Sequence, residues 1–283
     1  MHFVDSAVYR ILKARGFSSC FRNTKGGVIH SLEKRVDQEK EVIVLVHGVG
    51  ANAAHYARIM FPLQRAGYSI LALDLLSHGY SEDPGKEVSS DRLFEAFSDW
   101  LNQVQTEKLI LVGNSLGGAL SLRYSVLFPE RVKKLILISP AGGFESGEEW
   151  EEFKKDLQFK SKADSLSYLG RIYHQKPFYL SWFAQSFFEM MSKASIQKLV
   201  EEGKFEEFEL SKTGSDLSKI FPPTLLIWGR SEKIFPKKHL EWFKKNLPSS
   251  VIFDETKAIG HCPQVESARW LWKRMDRFMQ AGT

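Results

Sequence analysis

Six short apolar runs are the feature that most limits what this chain can fold into. In each run the apolar residues are consecutive rather than alternating, which is typical of strands buried on both faces of a parallel sheet. The runs are VIVLV from Val42, SILAL from Ser69, KLILV from Lys108, KLILI from Lys134, TLLIW from Thr224 and SVIF from Ser250. Amphipathic helical stretches separate them at about residues 52–65, 91–104, 116–127, 237–246 and 266–279. This alternation predicts an α/β fold on a mostly parallel, doubly wound sheet, with a leading hairpin around Gly26 and Gly27.

The alternation stops between residues 144 and 216. This segment contains no buried-strand run and is rich in aromatic residues, as in YLGRIYHQKPFYLSWFAQSFFEMM. The pair Pro222-Pro223 predicts an extended boundary where the chain returns to the sheet. We therefore expect a helical cap at residues 144–216, inserted into a core made of residues 1–143 and 217–283.

Composition excludes several classes of function. The 283 residues are 43% hydrophobic, which allows a large core. The 39 Lys and Arg residues interleave with 34 Asp and Glu residues and form no basic stripe, so nucleic acid is not an expected partner. Two cysteines are too few for a disulfide scaffold or a thiolate zinc site. No metal or organic cofactor is implied.

The N-terminal segment MHFVDSAVYRILKARGF has amphipathic helical spacing. Two interpretations stay open: a helix docked on the domain, or a helix in peripheral contact with an anionic membrane. The segment has no long apolar core and no cleavage signal of a secretory peptide, and no apolar stretch is long enough to span a bilayer. We expect a soluble cytoplasmic protein; the sequence predicts no oligomeric state.

The stretch Gly113-Asn114-Ser115-Leu116-Gly117 fits the pattern G-x-S-x-G. An apolar strand precedes it and an amphipathic helix follows it, which is the context of a nucleophile held on a sharp strand–helix turn. Ligands bind above the carboxyl edge of such sheets, and a helix N-terminus offers free N–H groups there. This context predicts Ser115 as a nucleophile.

A serine nucleophile needs a base and an acid that orients the base. His261 follows the last predicted strand, in the loop AIGHCPQVE that opens at the same edge of the sheet. Glu232 follows the strand TLLIW, which gives the chain order Ser, acid, His. Glu145, after the strand ending in ISPAG, stays open as the alternative acid.

The loop VLVHGVGAN, from Val44, has glycines that let a substrate approach its backbone closely. The N–H groups of Val49 and Leu116 are the expected pair of donors to an oxyanion. The loop lacks the Lys-Ser/Thr of a P-loop and the full G-x-G-x-x-G pattern, so phosphate binding is not expected. His47 and His78 precede glycines at strand ends, and we expect them to hold loops by hydrogen bonds.

Five motifs resemble those of the α/β-hydrolase superfamily, in the branch of small capped esterases and lipases that includes bacterial family V lipases and monoacylglycerol lipase-like proteins. The motifs are LVHGVGAN, LALDLLSHGYSE, LVGNSLGGALSLRYSVLFPERVKKLILISPAG, PTLLIWGRSEKIFP and IGHCPQVE. The resemblance implies Ser115 as nucleophile, His261 as base and oxyanion donors at Val49 and Leu116. It places Glu232 where this branch usually carries aspartate.

The resemblance implies a serine carboxylic ester hydrolase. Related carbon–carbon bond hydrolases of the diketone-cleaving type share the elbow but usually carry tryptophan soon after the catalytic Gly-His, where this chain has Cys262-Pro263. A hydrolase of that type is one alternative, and a non-catalytic ligand-binding protein on the same fold is another.

Aromatic residues of the expected cap indicate an apolar substrate. They are Phe178, Tyr179, Trp182, Phe183, Phe187 and Phe188. Helical spacing means that some of them pack the cap, while others line an acyl pocket. We assign Trp182, Phe183 and Phe187 to substrate binding, and expect short- to medium-chain acyl esters or monoacylglycerols as substrates.

Overall fold

The computed structural model describes residues 3–37, 40–176, 180–203, 217, 220 and 222–281. Within them an eight-stranded sheet has the order β1-β2-β4-β3-β5-β6-β7-β8. The strands are β1 Ser18–Thr24, β2 Gly27–Lys34, β3 Val42–Val46, β4 Ser69–Leu73, β5 Leu109–Asn114, β6 Val132–Ile138, β7 Thr224–Gly229 and β8 Ile252–Thr256. β2 is antiparallel to β1 and to β4, and the remaining pairs are parallel. The predicted leading hairpin and the parallel sheet are both confirmed.

Helices connect the strands and cover both faces of the sheet. They are α1 Phe3–Ala14, α2 Ala57–Arg65, α3 Ser90–Asn102, α4 Leu116–Leu127, α5 Gly147–Asp156, α6 Lys162–Ile172, α7 Leu180–Met191, α8 Ala194–Glu202, α9 Lys237–Asn246, α10 Pro263–Glu266 and α11 Ala268–Gln280. Short 3₁₀ turns lie at Ala53–Tyr56, Gly85–Glu87 and Pro129–Arg131. The stretch predicted as one helix at 52–65 begins with the first of these turns, and the Asn52 side chain accepts the N–H of Ala54 at its start.

Two apolar clusters, one on each face of the sheet, explain why the strand runs are apolar at consecutive positions. In β3, Val44 belongs to one cluster, while Ile43 and Leu45 belong to the other. All three side chains are fully buried. Because both faces of the strand are covered, none of its side chains faces solvent, and every position can be apolar.

The N-terminal helix α1 docks on the domain, as one of the two interpretations of its sequence predicts. Tyr9 and Leu12 are buried in the core, and the Tyr9 hydroxyl lies 2.8 Å from the Asp74 carboxylate oxygens. Ile11, on the other side of the helix, is 55% exposed. Peripheral membrane contact by α1 stays a prediction. Among the described residues, no helix combines the length and hydropathy needed to cross a membrane.

Helices α5 to α8 occupy the segment between β6 and β7 that was predicted as a cap. Across residues 144–176 and 180–203 this segment contains helices and no strand. The last part of the predicted cap, residues 204–216, lies outside the described residues.

Candidate active site

The turn between β5 and α4 holds Ser115 in a strained backbone conformation. Its φ of 55° and ψ of −121° lie in a region that residues with a side chain rarely adopt. Two glycines make room for the turn: a Cβ on Gly113 would collide with the Gly117 carbonyl, and one on Gly117 with the Val46 carbonyl. Ser115 lies at the N-terminus of α4, where the first N–H groups of a helix have no intrahelical partner.

His261 and Glu232 form a buried pair. The Nδ1 atom of His261 lies 2.7 Å from Oε2 of Glu232, and the other carboxylate oxygen accepts the N–H of Ile234 at 2.7 Å. Burial alone would raise the pKa of Glu232, but the charge and hydrogen bond of His261 and the N–H of Ile234 lower it below its usual range. The ionised carboxylate holds the proton of the ring on Nδ1, which leaves Nε2 available as a base.

Asn114 connects the serine turn to the histidine loop. Its amide nitrogen donates to the backbone carbonyls of Ile138 at 3.0 Å and of His261 at 3.1 Å. Its oxygen accepts the side-chain amide of Gln264 at 2.9 Å. The residue next to Ser115 in the chain thus holds the backbone of His261 at the same edge of the sheet. Sequence reasoning missed this role, although a buried amide between a strand and the serine is a signal for it.

The loop after β3 lies against the serine. A Cβ on Gly48 would come within 2.9 Å of the Ser115 Cβ. The His47 ring donates from Nδ1 to the Gly48 carbonyl at 2.7 Å and accepts the Leu75 N–H at 2.9 Å. His78 accepts the N–H of Gly50 at 3.1 Å. Both histidines hold loops by hydrogen bonds, as predicted, and both act as neutral rings.

The comparison with protein families decides the class of this fold. Residues 41–268 match the family of the alpha/beta hydrolase fold. The chain belongs to the α/β-hydrolase family. The fold class predicted from the alternating strands and helices is therefore confirmed.

Proteins similar to this hydrolase include enzymes of two chemistries. Lipase 3 from Moraxella sp. (strain TA144) is 26% identical over 243 residues, which are 81% of this chain and 74% of that protein. A 2-hydroxy-6-oxononadienedioate/2-hydroxy-6-oxononatrienedioate hydrolase from Escherichia coli (strain K12 / DH10B) is 28% identical over 221 residues, 70% of this chain and 73% of that protein. The carboxylesterase CesB from Bacillus subtilis shares the fold, with a TM-score of 0.78 at 19% identity over 99% of each chain. The chain is a serine hydrolase enzyme of the esterase and lipase branch.

The neutral histidines of the hydrolase predict a loss of stability in acid. Burial lowers the pKa of His47 to about 3 and the pKa of His78 to about 4. In the unfolded chain each ring takes up its proton near pH 6.5, so the free energy of unfolding should fall as pH decreases from about 6.5 towards 4. Each ring should account for about 3 kcal/mol of this loss. Urea unfolding at a series of pH values measures it.

His78→Gln is the matched variant for this measurement. A glutamine has no proton to take up in this range, so the stability of the variant should depend less steeply on pH. If the free energy of unfolding of the variant falls as steeply between pH 6.5 and pH 4 as that of the wild-type protein, His78 is not a buried neutral ring.

Ser115 lines a small apolar cavity of about 60 Å³. Val49 and Leu116, the expected oxyanion donors, line the same cavity. Its other walls are side chains of α3, α5, α6 and α8 and of the loop after β7, Trp150 and Phe235 among them. Ser115, the two expected donors and an apolar wall thus share one space.

The residues assigned to substrate binding lie elsewhere. Trp182 is 69% exposed, while Phe183 and Phe187 line a second cavity of about 560 Å³ beside the first. Phe178 and Tyr179 lie outside the described residues. A role of Trp182, Phe183 and Phe187 in substrate binding stays a prediction.

Glu145, the alternative acid, is exposed. Its backbone N–H donates to the Glu149 carboxylate at 3.0 Å. Glu149 in turn bonds to the buried His239 ring at 2.7 Å. Of the two glutamates, Glu232 is the one that contacts His261.

Proposed function

We propose that this hydrolase cleaves apolar short- to medium-chain acyl esters or monoacylglycerols through Ser115, His261 and Glu232. The observation that supports the proposal most is the buried hydrogen bond between Glu232 and His261. Asn114, which precedes Ser115 at the strained turn, donates to the backbone carbonyl of this histidine and so links the two. Backbone strain of this kind persists where the surrounding structure enforces it, and it is concentrated at active sites.

In the proposed mechanism His261 takes the proton of the Ser115 hydroxyl through Nε2 while the oxygen attacks the ester carbonyl. Negative charge develops on the carbonyl oxygen, which receives hydrogen bonds from the N–H groups of Val49 and Leu116. His261 then gives its proton to the leaving alcohol, and an acyl-enzyme forms. A water molecule activated by His261 attacks the acyl-enzyme, releases the acid and restores Ser115. Glu232 stabilises the positive ring in both steps.

The segment 144–216 acts as the cap in this proposal. Helices α5, α6 and α8 of this segment form walls of the Ser115 cavity. The carbonyl of Ile172 in α6 accepts the backbone N–H of His261 at 2.7 Å. A cap over the serine excludes water and strengthens hydrogen bonds to the oxyanion.

Two observations favour an ester over the carbon–carbon bond cleaved by a diketone-type hydrolase. Cys262-Pro263 follows the Gly-His pair, where those hydrolases usually carry tryptophan. The walls of the Ser115 cavity are mainly carbon, and the ammonium of Lys154, which lines it, bonds to the Glu151 carboxylate and to the carbonyls of Glu201 and Gly203. The cavity therefore offers little to bind the second carboxylate of a dienedioate. The non-catalytic alternative gives no reason to hold Ser115 at a strained turn that Asn114 links to the loop of His261, or to place an ionised glutamate on that histidine.

Substrate preference tests the proposal. We expect p-nitrophenyl esters from acetate to octanoate to be hydrolysed with kcat/KM values about 10² or more above that for 2-hydroxy-6-oxononadienedioate. Release of nitrophenolate and loss of the dienedioate absorbance measure the two reactions under one condition. Faster cleavage of the dienedioate would reject the ester proposal. Turnover of neither, with fluorophosphonate leaving Ser115 unlabelled, would favour a ligand-binding protein.

A further inference from the structure

Two cavities meet at the loop after β3 and are divided by a pair of aromatic rings. Val49 lines the small cavity that contains Ser115, and Gly50 lines the larger one. Tyr168 faces the first and Phe187 the second, and their rings stack at 5.8 Å with an interplanar angle of 14°. Phe187 lies so close to Gly50 that a Cβ there would collide with its ring. The stacked pair therefore forms a wall beside the expected oxyanion site.

The two cavities differ in size and chemistry. The first has a volume of about 60 Å³ and walls almost entirely of carbon, which suits a short acyl group. The second has about 560 Å³, within the range of about 300–1,000 Å³ of ligand sites. Its apolar lining includes Leu180 and Met190, and among its charged groups Arg58 and Glu189 are exposed, so they lie at its mouth. Such a space suits a large group with an apolar body and a polar end.

The second cavity also adjoins the loop of His261. Tyr173 lines it and follows Ile172, whose carbonyl accepts the His261 N–H. Val265, four residues after His261, lines it as well. In an acyl transfer the histidine must protonate the leaving alcohol, so the alcohol half of an ester lies on the histidine side.

We propose that the second cavity binds the alcohol half of the ester and that Phe187 separates it from the acyl half. The substrate class of the proposed function then narrows to short-chain acyl esters of a large alcohol with an apolar chain. Monoacylglycerols, which carry their chain on the acyl side, are no longer expected substrates. This inference rests on the proposed function, because it assigns the two halves of an ester to the two cavities. Phe187 is a specificity-determining residue here, since its ring keeps a long acyl chain out of the larger space.

Two isomeric esters, octyl acetate and ethyl octanoate, test the assignment because they differ only in which half carries the chain. We expect the wild-type enzyme to prefer octyl acetate by about tenfold or more in kcat/KM. Ala57 lines the second cavity and is half-buried. Ala57→Phe fills that space and should lower kcat/KM for octyl acetate by about tenfold, with a smaller change for ethyl octanoate.

Phe187→Ala removes the ring between the cavities. We expect kcat/KM for ethyl octanoate to rise by about tenfold while that for octyl acetate changes less, because the acyl chain gains the larger space. Leu127→Ala, at an exposed site on α4, is the control and should keep the preference of the wild-type enzyme. A wild-type preference for ethyl octanoate would overturn the assignment. So would an equal decrease of kcat/KM for both esters in Ala57→Phe.

Binding without turnover separates this inference from the proposed function. Displacement of 1-anilinonaphthalene-8-sulfonate measures the affinity of octan-1-ol for the Ser115→Ala protein. The further substitution Ala57→Phe should weaken this affinity by about tenfold. If it does so while the wild-type enzyme cleaves no ester, the second cavity is an alcohol site and the ester proposal fails. If esters are cleaved but octan-1-ol affinity is unchanged, the second cavity is not the alcohol site.

Discussion

Replacing Ser115 with alanine will reduce kcat/KM for p-nitrophenyl butyrate by about 10⁴–10⁶. The loss is this large because, in the proposed mechanism, the Ser115 oxygen attacks the ester and then carries the acyl group. The oxyanion donors and His261 remain, so the residual rate over water should come from them alone. Nitrophenolate release measures the loss, and a fluorophosphonate should label the wild-type enzyme but not the variant.

Ser125→Ala is the matched control for this experiment. Ser125 lies on the same helix as the serine turn, is buried, and donates its hydroxyl to the Ser121 carbonyl at 2.8 Å. It is far along α4 from the site, so its loss should leave turnover within about twofold of the wild-type value. If Ser115→Ala kept a tenth or more of wild-type activity while remaining folded, Ser115 would not be the nucleophile.

Much of the fold can be predicted because burial on both faces leaves a simple pattern in the sequence. The central runs VIVLV and SILAL coincide with β3 and β4 residue for residue. The run SVIF from Ser250 predicts its strand less accurately, since β8 is Ile252–Thr256. This strand lies at the edge of the sheet and Ile252 is 47% exposed, so its pattern is set by partial burial and is weaker.

Less of the site can be predicted, because its contacts join residues far apart in the chain. The turn at Ser115 is recognisable since its glycines have a local steric purpose. The bonds of Asn114 to His261 and Gln264, about 150 positions away, leave no periodic signal. The aromatic residues of α7 show the same limit. Trp182 is exposed while Phe187 stacks on Tyr168, and only the packing of several helices decides between these surroundings.

Glu232→Gln should lower kcat by about 10³–10⁴ with little change in KM. An amide nitrogen at this position can donate to Nδ1 of His261, which then carries its proton on Nε2. In that tautomer the ring cannot accept the proton of Ser115. The lowered pKa of Glu232 also means that the natural carboxylate is ionised across the neutral range, so the variant removes a full negative charge beside the ring. Steady-state hydrolysis of p-nitrophenyl butyrate measures the change.

Two further variants make this prediction specific. Glu232→Asp keeps the charge but withdraws it by one methylene, and a misplacement of that size should cost about 10²-fold, less than the amide does. Glu145→Gln changes an exposed side chain after β6 and should leave the rate within about twofold of the wild-type value.

If Glu145→Gln lost more activity than Glu232→Gln, the acid would have to reach His261 from the β6 side through a rearrangement of the loop. A charge that acts only by its field would give equal rates for aspartate and glutamate at position 232. If the carboxylate fixes the tautomer by contact, the activity must decrease in the order Glu, Asp, Gln at position 232.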